Sequence, residues 1–507
     1  MREGAVASLN ALLARIDPGT GVIAPPNPAP AGSRRSDGAA PFEEAVRFEE
    51  AAPFEEAAPF EEAVRYLYEE LTPGGAARAV HGAGTGRARD LLRRLGDPQN
   101  AVPVVHVAGT AGKGSVCAFT AEVLAAHGFR VGAHSSPHAY SLRERFRLDG
   151  RPVAAGLLVD ELDRLRPAIA AVERAGLGRP TFFEVTTALA FGLFAGRVDY
   201  GVIETGIGGL LDATNVVDRR DKLAVLTPIG LDHTDLLGGT LPEIAAHKAG
   251  ILPRGGLGIS VRNGAAVDEV IAGEAGRRDT GLEFVDAAAA VREAGTGECG
   301  TVLRLPGWGD LPLGLPGRHQ AGNAVLALRA VAALARRDGW ALDPGAVRAG
   351  LARTALPGRF ERRSVDGRTV VLDGAHNALK LASVARTVTE LYPRRIVTWV
   401  LAFKHDKDLD AALRAIAPAA GLVVATEFGT GPGTDGGGPA PRSRPAEDVA
   451  GAARAAGIPV AVEPDPVAAL RRARTATPTG APIVVSGSFH LLAALDAAAR
   501  PAPSPCP

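Results

Sequence analysis

The chain has 507 residues, too many for one core, and a norm of roughly 100–200 residues per domain points to two or three units. Lys plus Arg and Asp plus Glu number 56 each, so no overall field draws the chain to nucleic acid or an anionic membrane, and any anion must be held locally. Cys117, Cys299 and Cys506 have neither metal nor disulfide spacing, which fits a reducing, cytoplasmic compartment, and no apolar run approaches the ~18 residues that span a bilayer.

Residues 1–40 carry one short helical stretch, Val6 to Ile16, and then a linker through Pro25, Pro28 and Pro30. A six-residue repeat follows from Pro41 to Ala63, its units reading Phe-Glu-Glu-Ala after Pro or Arg. A period of six does not keep Phe on one side of a helix, and repeated Pro interrupts one. Only the last copy is expected to flow into a helix, Phe60 to Leu71. The rest reads as a solvated acidic extension, with a partner-binding arm as the alternative.

The most informative stretch is Val104-Val105-His106-Val107-Ala108-Gly109-Thr110-Ala111-Gly112-Lys113-Gly114-Ser115. A β-branched run ends in small residues, and Val116, Phe119, Val123 and Leu124 follow at helical spacing, giving strand, glycine loop and helix. Such a loop wraps a phosphate with backbone N–H groups, backed by the helix dipole and by the Lys113 charge. The general P-loop pattern is half met, since Val107 stands where its first glycine would be and Gly114 separates Lys113 from Ser115. An ordinary Gly-rich turn is the alternative; the flanking strand and helix favour nucleotide phosphate.

Further strands are expected at Val131–Ala133, Tyr200–Glu204 and Leu223–Thr227, with helices near Leu157–Val172 and Val185–Ala195, a βαβ pattern that implies a parallel sheet covered on both faces. Residues 255–315 are Gly-rich with weaker, β-like alternation. After Pro357-Gly358-Arg359 a second series begins, with strands at Thr369–Leu372, Ile396–Leu401, Leu422–Thr426, Pro459–Val462 and Ile483–Ser486. Helices are expected between them at Leu379–Leu391, Leu409–Ala417, Ala446–Ala456 and Pro466–Ala473, and Gly429 to Gly438 as a loop or insertion. The fold class is therefore α/β. A P-loop-type, mostly parallel ATPase domain over 59–355 precedes a smaller Rossmann-like doubly wound domain over 356–500, with 1–58 as extension and 501–507 as tail.

With these segments placed, the sequence resembles the folylpolyglutamate synthase/dihydrofolate synthase family of the Mur ligase superfamily. The glycine loop above, Ser135-Ser136-Pro137-His138, Phe182-Phe183-Glu184 and Glu204-Thr205-Gly206-Ile207-Gly208-Gly209-Leu210-Leu211-Asp212-Ala213-Thr214-Asn215 carry the likeness. So do Gly230-Leu231-Asp232-His233, Lys248-Ala249-Gly250-Ile251, Pro316 to Ala324, Leu356-Pro357-Gly358-Arg359-Phe360, Leu372-Asp373-Gly374-Ala375-His376-Asn377, His405-Asp406-Lys407-Asp408 and Ser486-Gly487-Ser488-Phe489-His490. They fall in family order over roughly residues 59–500.

The resemblance implies a cytoplasmic, monomeric, magnesium-dependent ligase that uses ATP to join L-glutamate to dihydropteroate or a folate through an acyl phosphate. It implies a triphosphate cradle of Thr110, Ala111, Gly112, Lys113, Gly114 and Ser115. It also implies two Mg2+ sites with Ser136, Glu184 and His233 as ligands, and a carbamylated Lys248; Lys113, Lys248 and His233 carry the catalytic roles. Across the cleft between the domains, Asn323 would meet the base, Arg359 phosphate and Asp373 ribose, with His376 lining the site. Read singly, Ser136 could cap a turn, Glu184 could open a helix, His233 could be a surface histidine, Lys248 an ordinary helix lysine and Asp373 a helix cap.

Four departures bear on the acceptor. Ala111 replaces a usual asparagine, Leu210 a usual arginine and His247 a usual glutamate, and Ala79 to Gly86 does not match the pterin-contacting segment expected near 78–90. Two other functions stay open: ligation of a non-folate acid in specialised metabolism, and nucleotide binding without catalysis.

Overall fold

The computed structural model describes residues 54–71, 85–292, 294–297, 300–305, 307–429 and 443–496. The repeat copies ahead of Phe54, most of the expected pterin segment and the glycine run after Gly429 lie outside the described residues. So do the helix expected at Val6–Ile16, Cys299 and Cys506.

The first lobe is built on strands β1 (Val104–Ala108), β2 (Val131–His134), β3 (Phe146–Leu148), β4 (Arg151–Pro152), β5 (Tyr200–Glu204), β6 (Leu223–Leu226), β7 (Leu257–Val261) and β8 (Gly281–Val285). They form one eight-stranded sheet in the order β4-β3-β2-β5-β1-β6-β7-β8. The six strands from β2 to β8 in that order pair in parallel, whereas β3 and β4 run antiparallel at the edge. Every residue of β1, β5 and β6 is buried, as expected of β-branched runs covered by helices on both faces. The edge hairpin turns through Asp149 and Gly150, both at positive φ, the Asp-Gly turn that matches strand twist.

Residues 255–315 depart from the expected β-like alternation. Their first half is another βαβ unit, β7, the helix Ala265–Arg278 and β8, which extends the parallel sheet. Only the second half is antiparallel: β9 (Gly295–Gly297), β10 (Gly300–Leu305) and β11 (Gly309–Leu313). Strand β7 reads Leu-Gly-Ile-Ser-Val, its small and polar residues masking a strand that is buried from Gly258 to Val261.

The N-terminal helix also differs from expectation. It spans Phe54–Arg65, with Pro59 inside, and runs on through Tyr66–Glu70. A proline there deletes one backbone hydrogen bond, and burial of Ala63, Tyr66, Leu67 and Tyr68 in the first lobe's core supplies the tertiary packing on which helix stability mainly rests.

The second lobe carries β12 (Glu361–Val365), β13 (Arg368–Leu372), β14 (Thr398–Leu401), β15 (Leu422–Ala425), β16 (Val460–Val462) and β17 (Ile483–Ser486). Their order is β12-β13-β17-β14-β15-β16, parallel except for the β12–β13 hairpin. Helices Ala378–Leu391, Leu409–Ile416, Ala446–Ala455 and Pro466–Ala476 alternate with the strands and pack around buried Trp399, Phe403 and Leu413 on one face and Val400, Val485 and Leu470 on the other. Among the described residues no helix is long and apolar enough to cross a membrane.

Candidate active site

In the first sheet β2, β5, β1 and β6 are neighbours, and the segments leaving their carboxyl ends meet there. Ligands of open α/β sheets gather at that edge. The loop after β1 runs from Gly109 to Gly112 and delivers Lys113 as the first residue of the helix Lys113–Ala126. Gly112 has φ +88°, and a Cβ added to it would run into the Asn323 Oδ1. The loop therefore needs glycine for its fold as well as for its exposed N–H groups. Gly112→Ala is expected to cost about 1–3 kcal/mol of stability, read by thermal unfolding, and to abolish nucleotide binding.

Two lysines meet one carbonyl in this loop. Lys113 Nζ donates to Gly109 O at 3.1 Å, and Lys248 Nζ, from the helix Leu241–Ala249, donates to the same oxygen at 3.0 Å. Lys248 is buried, and that burial, reinforced by the Lys113 charge, lowers its pKa to about 7.

Glu204 ends β5 with its carboxylate inside the cleft. Its Oε2 accepts the Ser136 N–H at 3.3 Å and stands 3.4 Å from where a Cβ on Gly114 would lie. Burial raises its pKa, against the opposing charges of Lys113 and Arg359. His233 follows β6 in a left-handed conformation, φ 52°. Burial lowers its pKa to about 4, so at neutral pH it offers an imidazole lone pair.

Glu184, expected beside Ser136 and His233, is elsewhere. Its Oε2 accepts the Thr181 amide at 2.7 Å, the Thr181 hydroxyl at 2.9 Å and Arg87 Nε at 2.7 Å, and it does not line the cavity. Thr181-x-x-Glu184 is a capping box that starts the helix Phe182–Phe194. The carboxylate next to Ser136 is Glu204. Among the described residues no three His, Cys, Asp or Glu side chains converge as a metal cage. A buried carboxylate with one backbone donor, a hydroxyl and a neutral imidazole suit a hard cation that keeps water and phosphate oxygens as its other ligands.

The second lobe presents the carboxyl ends of β13, β17 and β14 to the same cleft. Asp373 follows β13, and its two oxygens accept the amides of Phe360 and Ala375, each at 2.8 Å. The helix cap is Asn377, whose Oδ1 accepts the Lys380 amide at 3.0 Å. Arg359 lies over the Phe489 ring at 4.7 Å, and from the first lobe's helix His319–Asp338 Asn323 donates to Gln320 at 2.8 Å. His376 Nδ1 lies 2.9 Å from Gly374 O, and its Nε2 faces Lys380 Nζ at 3.0 Å.

Asp232 is the residue that sequence reasoning passed over in favour of its neighbour His233. It reaches across from the first lobe to Asn377 Nδ2 (3.0 Å), Lys380 Nζ (3.6 Å) and Lys407 Nζ (3.8 Å) of the second. Burial alone would raise its pKa, but Lys380, His233, His376 and Lys407 together hold it well below the usual carboxylate range. Burial likewise pushes Lys380 down to about 7 despite Asp232.

A cavity of about 460 Å³ between the lobes is thus lined by Thr110 to Ser115, Ser136, Glu204, Asp232, His233, Lys248, Asn323, Arg359, Asp373, His376 and Lys380. Of the residues expected at the site, Glu184 alone stays outside it. Two of the departures adjoin each other, since the Leu210 amide donates to the His247 carbonyl at 2.7 Å.

The Mur ligase glutamate ligase domain matches residues 358–489. The dihydrofolate synthase/folylpolyglutamate synthase of Mycobacterium tuberculosis is 39% identical over 367 residues, covering 68% of this chain and 74% of that protein. The Bacillus subtilis protein of the same name is 32% identical over 351 residues, covering 68% and 81%. The crystal structure of M. tuberculosis folylpolyglutamate synthase complexed with ADP superposes with a TM-score of 0.77 at 32% identity, covering 89% of this chain and all of that one. The chain therefore belongs to the dihydrofolate synthase/folylpolyglutamate synthase family of Mur-type ligases.

Proposed function

We propose that the chain is an ATP-dependent amide ligase that adds L-glutamate to a folate-type acid, dihydropteroate or a folyl-glutamate, working as a cytoplasmic monomer. The observation that carries this is the single cavity in which Lys113 and its glycine loop, the Ser136–Glu204–His233 group and the cationic face of the second lobe meet. A carboxylate is a poor electrophile. Its oxygen attacks the terminal phosphorus of ATP, the β–γ bond breaks and ADP leaves. The amine nitrogen then attacks the acyl carbon, phosphate departs and the nitrogen loses a proton. Positioning and neutralisation of negative charge are what such a transfer asks of the protein.

The amides of Thr110 and Ala111 donate to the Pro228 carbonyl at 2.9 and 3.3 Å, so the amides from Gly112 to Ser115 are the ones that would hold the phosphates, with Lys113 on the one that transfers. Ser136, Glu204 and His233 would hold magnesium, which when bound screens the phosphate oxygens. Asn323 would read the base, Arg359 would fork onto phosphate, and Asp373 has lone pairs left for sugar hydroxyls.

Lys248 is suited to carbamylation, which needs a neutral amine, and its carbamate would complete a second magnesium site. Uptake of carbon dioxide should rise as pH passes upward through about 7. Intact-mass analysis with bicarbonate should show the added carboxylate, absent in Lys248→Met; a bare amine above that pH would refute it. Because the unfolded chain holds this proton more tightly than the folded one, stability should also rise with pH between about 7 and 10.5.

The functional test is ADP release by the purified full chain. Release on adding dihydropteroate and glutamate together supports the reading, and release only with an unrelated acid moves the acceptor. No release with any acid removes the ligase assignment.

A further inference from the structure

Lys380 is placed where its surroundings disfavour a positive charge. It lies in the first turn of the helix Ala378–Leu391, at the end whose dipole disfavours a cation. Its side chain is 19% exposed and opens into the inter-lobe cavity, and the charges of Lys113, Arg359 and Lys407 are all near enough to disfavour its own. Among the described residues the carboxylate beside it is Asp232 at 3.6 Å, which also accepts from Asn377 at 3.0 Å and lies 3.8 Å from Lys407, whose nearer partner is Asp406 at 2.8 Å. His376 cannot take up the charge, since its Nε2 accepts from Lys380 at 3.0 Å. Lys380 therefore has no carboxylate within hydrogen-bond distance among the described residues, and its charge opens onto the cavity that Lys113 also lines. A small, multiply charged anion between the lobes would balance it.

We propose that Lys380 is a second phosphate-binding catalytic residue, supplied by the second lobe, whose ammonium swings from Asp232 onto the terminal phosphate of the bound nucleotide. Lys113 and Lys380 then hold the transferring phosphoryl group from opposite lobes, while Asp232 keeps Lys407 and Asn377. A bound phosphate favours the protonated ammonium, so Lys380 acts there through its charge and transfers no proton. Nucleotide would close the cleft by giving this lysine a better partner than Asp232, so that closure reads the terminal phosphate rather than the nucleoside. The proposal rests on the ATP-dependent reading above.

The test measures affinity for ADP and for AMPPCP, a triphosphate with an uncleavable β–γ link, on the full chain, its K380M and K380R variants and wild type. K380M should weaken AMPPCP binding about tenfold or more while changing ADP binding less than about threefold. K380R should restore most of the AMPPCP affinity. Melting of K380M should be unchanged or raised, because a buried cation has gone; if K380M fails to fold, K380Q carries the same comparison. Equal loss for both nucleotides, or no loss for either, overturns the proposal while leaving the ligase reading intact. Wild type that binds neither nucleotide overturns both.

Discussion

Lys113→Ala is expected to reduce kcat/KM for ADP release by about 10²–10³-fold or more, with the melting temperature nearly unchanged. Structurally the substitution removes one hydrogen bond to Gly109 O, and Lys248 still donates to that carbonyl. The functional loss is larger because the lysine's charge counts most where negative charge gathers on the transferring phosphoryl, inside a cleft with little water to replace it. ADP affinity should fall less than turnover does. An equal fall in both would mean that Lys113 serves only ground-state binding.

The second large effect separates Glu184, the magnesium ligand expected from the sequence, from Glu204, the glutamate that lines the cavity. Glu204→Gln should lower kcat by about 10²–10³-fold and raise the magnesium concentration needed for half-maximal rate. It should not lower stability, because burial already penalises the Glu204 charge and Gln keeps the shape and the acceptor for Ser136. Glu184→Gln should do the reverse. It leaves Arg87, 11% exposed, without its carboxylate, and breaking a buried pair costs about 3–5 kcal/mol. Activity per folded molecule should persist. A Glu184→Gln variant that is stable yet inactive, paired with an active Glu204→Gln, would reverse the assignment.

The strands were legible because most are short β-branched runs flanked by glycine or proline, and the phosphate loop and the second-lobe residues named from the motifs line one cavity. The features that stayed hidden have physical reasons. β7 was hidden by Gly258 and Ser260, residues admitted where close packing, not β propensity, sets the strand. The edge hairpin was missed although Asp149-Gly150 signalled it. Glu184 was misplaced because a carboxylate at the start of a helix and one at the end of a strand look alike in a motif string. The Thr181-x-x-Glu184 spacing held the answer, while Glu204 closes a strand beside β1. Asp232 and Lys380 could not be singled out, since the charge balance they share exists only once the lobes face each other.

The most direct test of acyl phosphate formation at this site is isotopic. With the acid's carboxylate enriched in heavy oxygen, one labelled oxygen should appear in the inorganic phosphate released with each amide formed, and none in ADP. Amide formation with unlabelled phosphate would contradict phosphoryl transfer to the carboxylate.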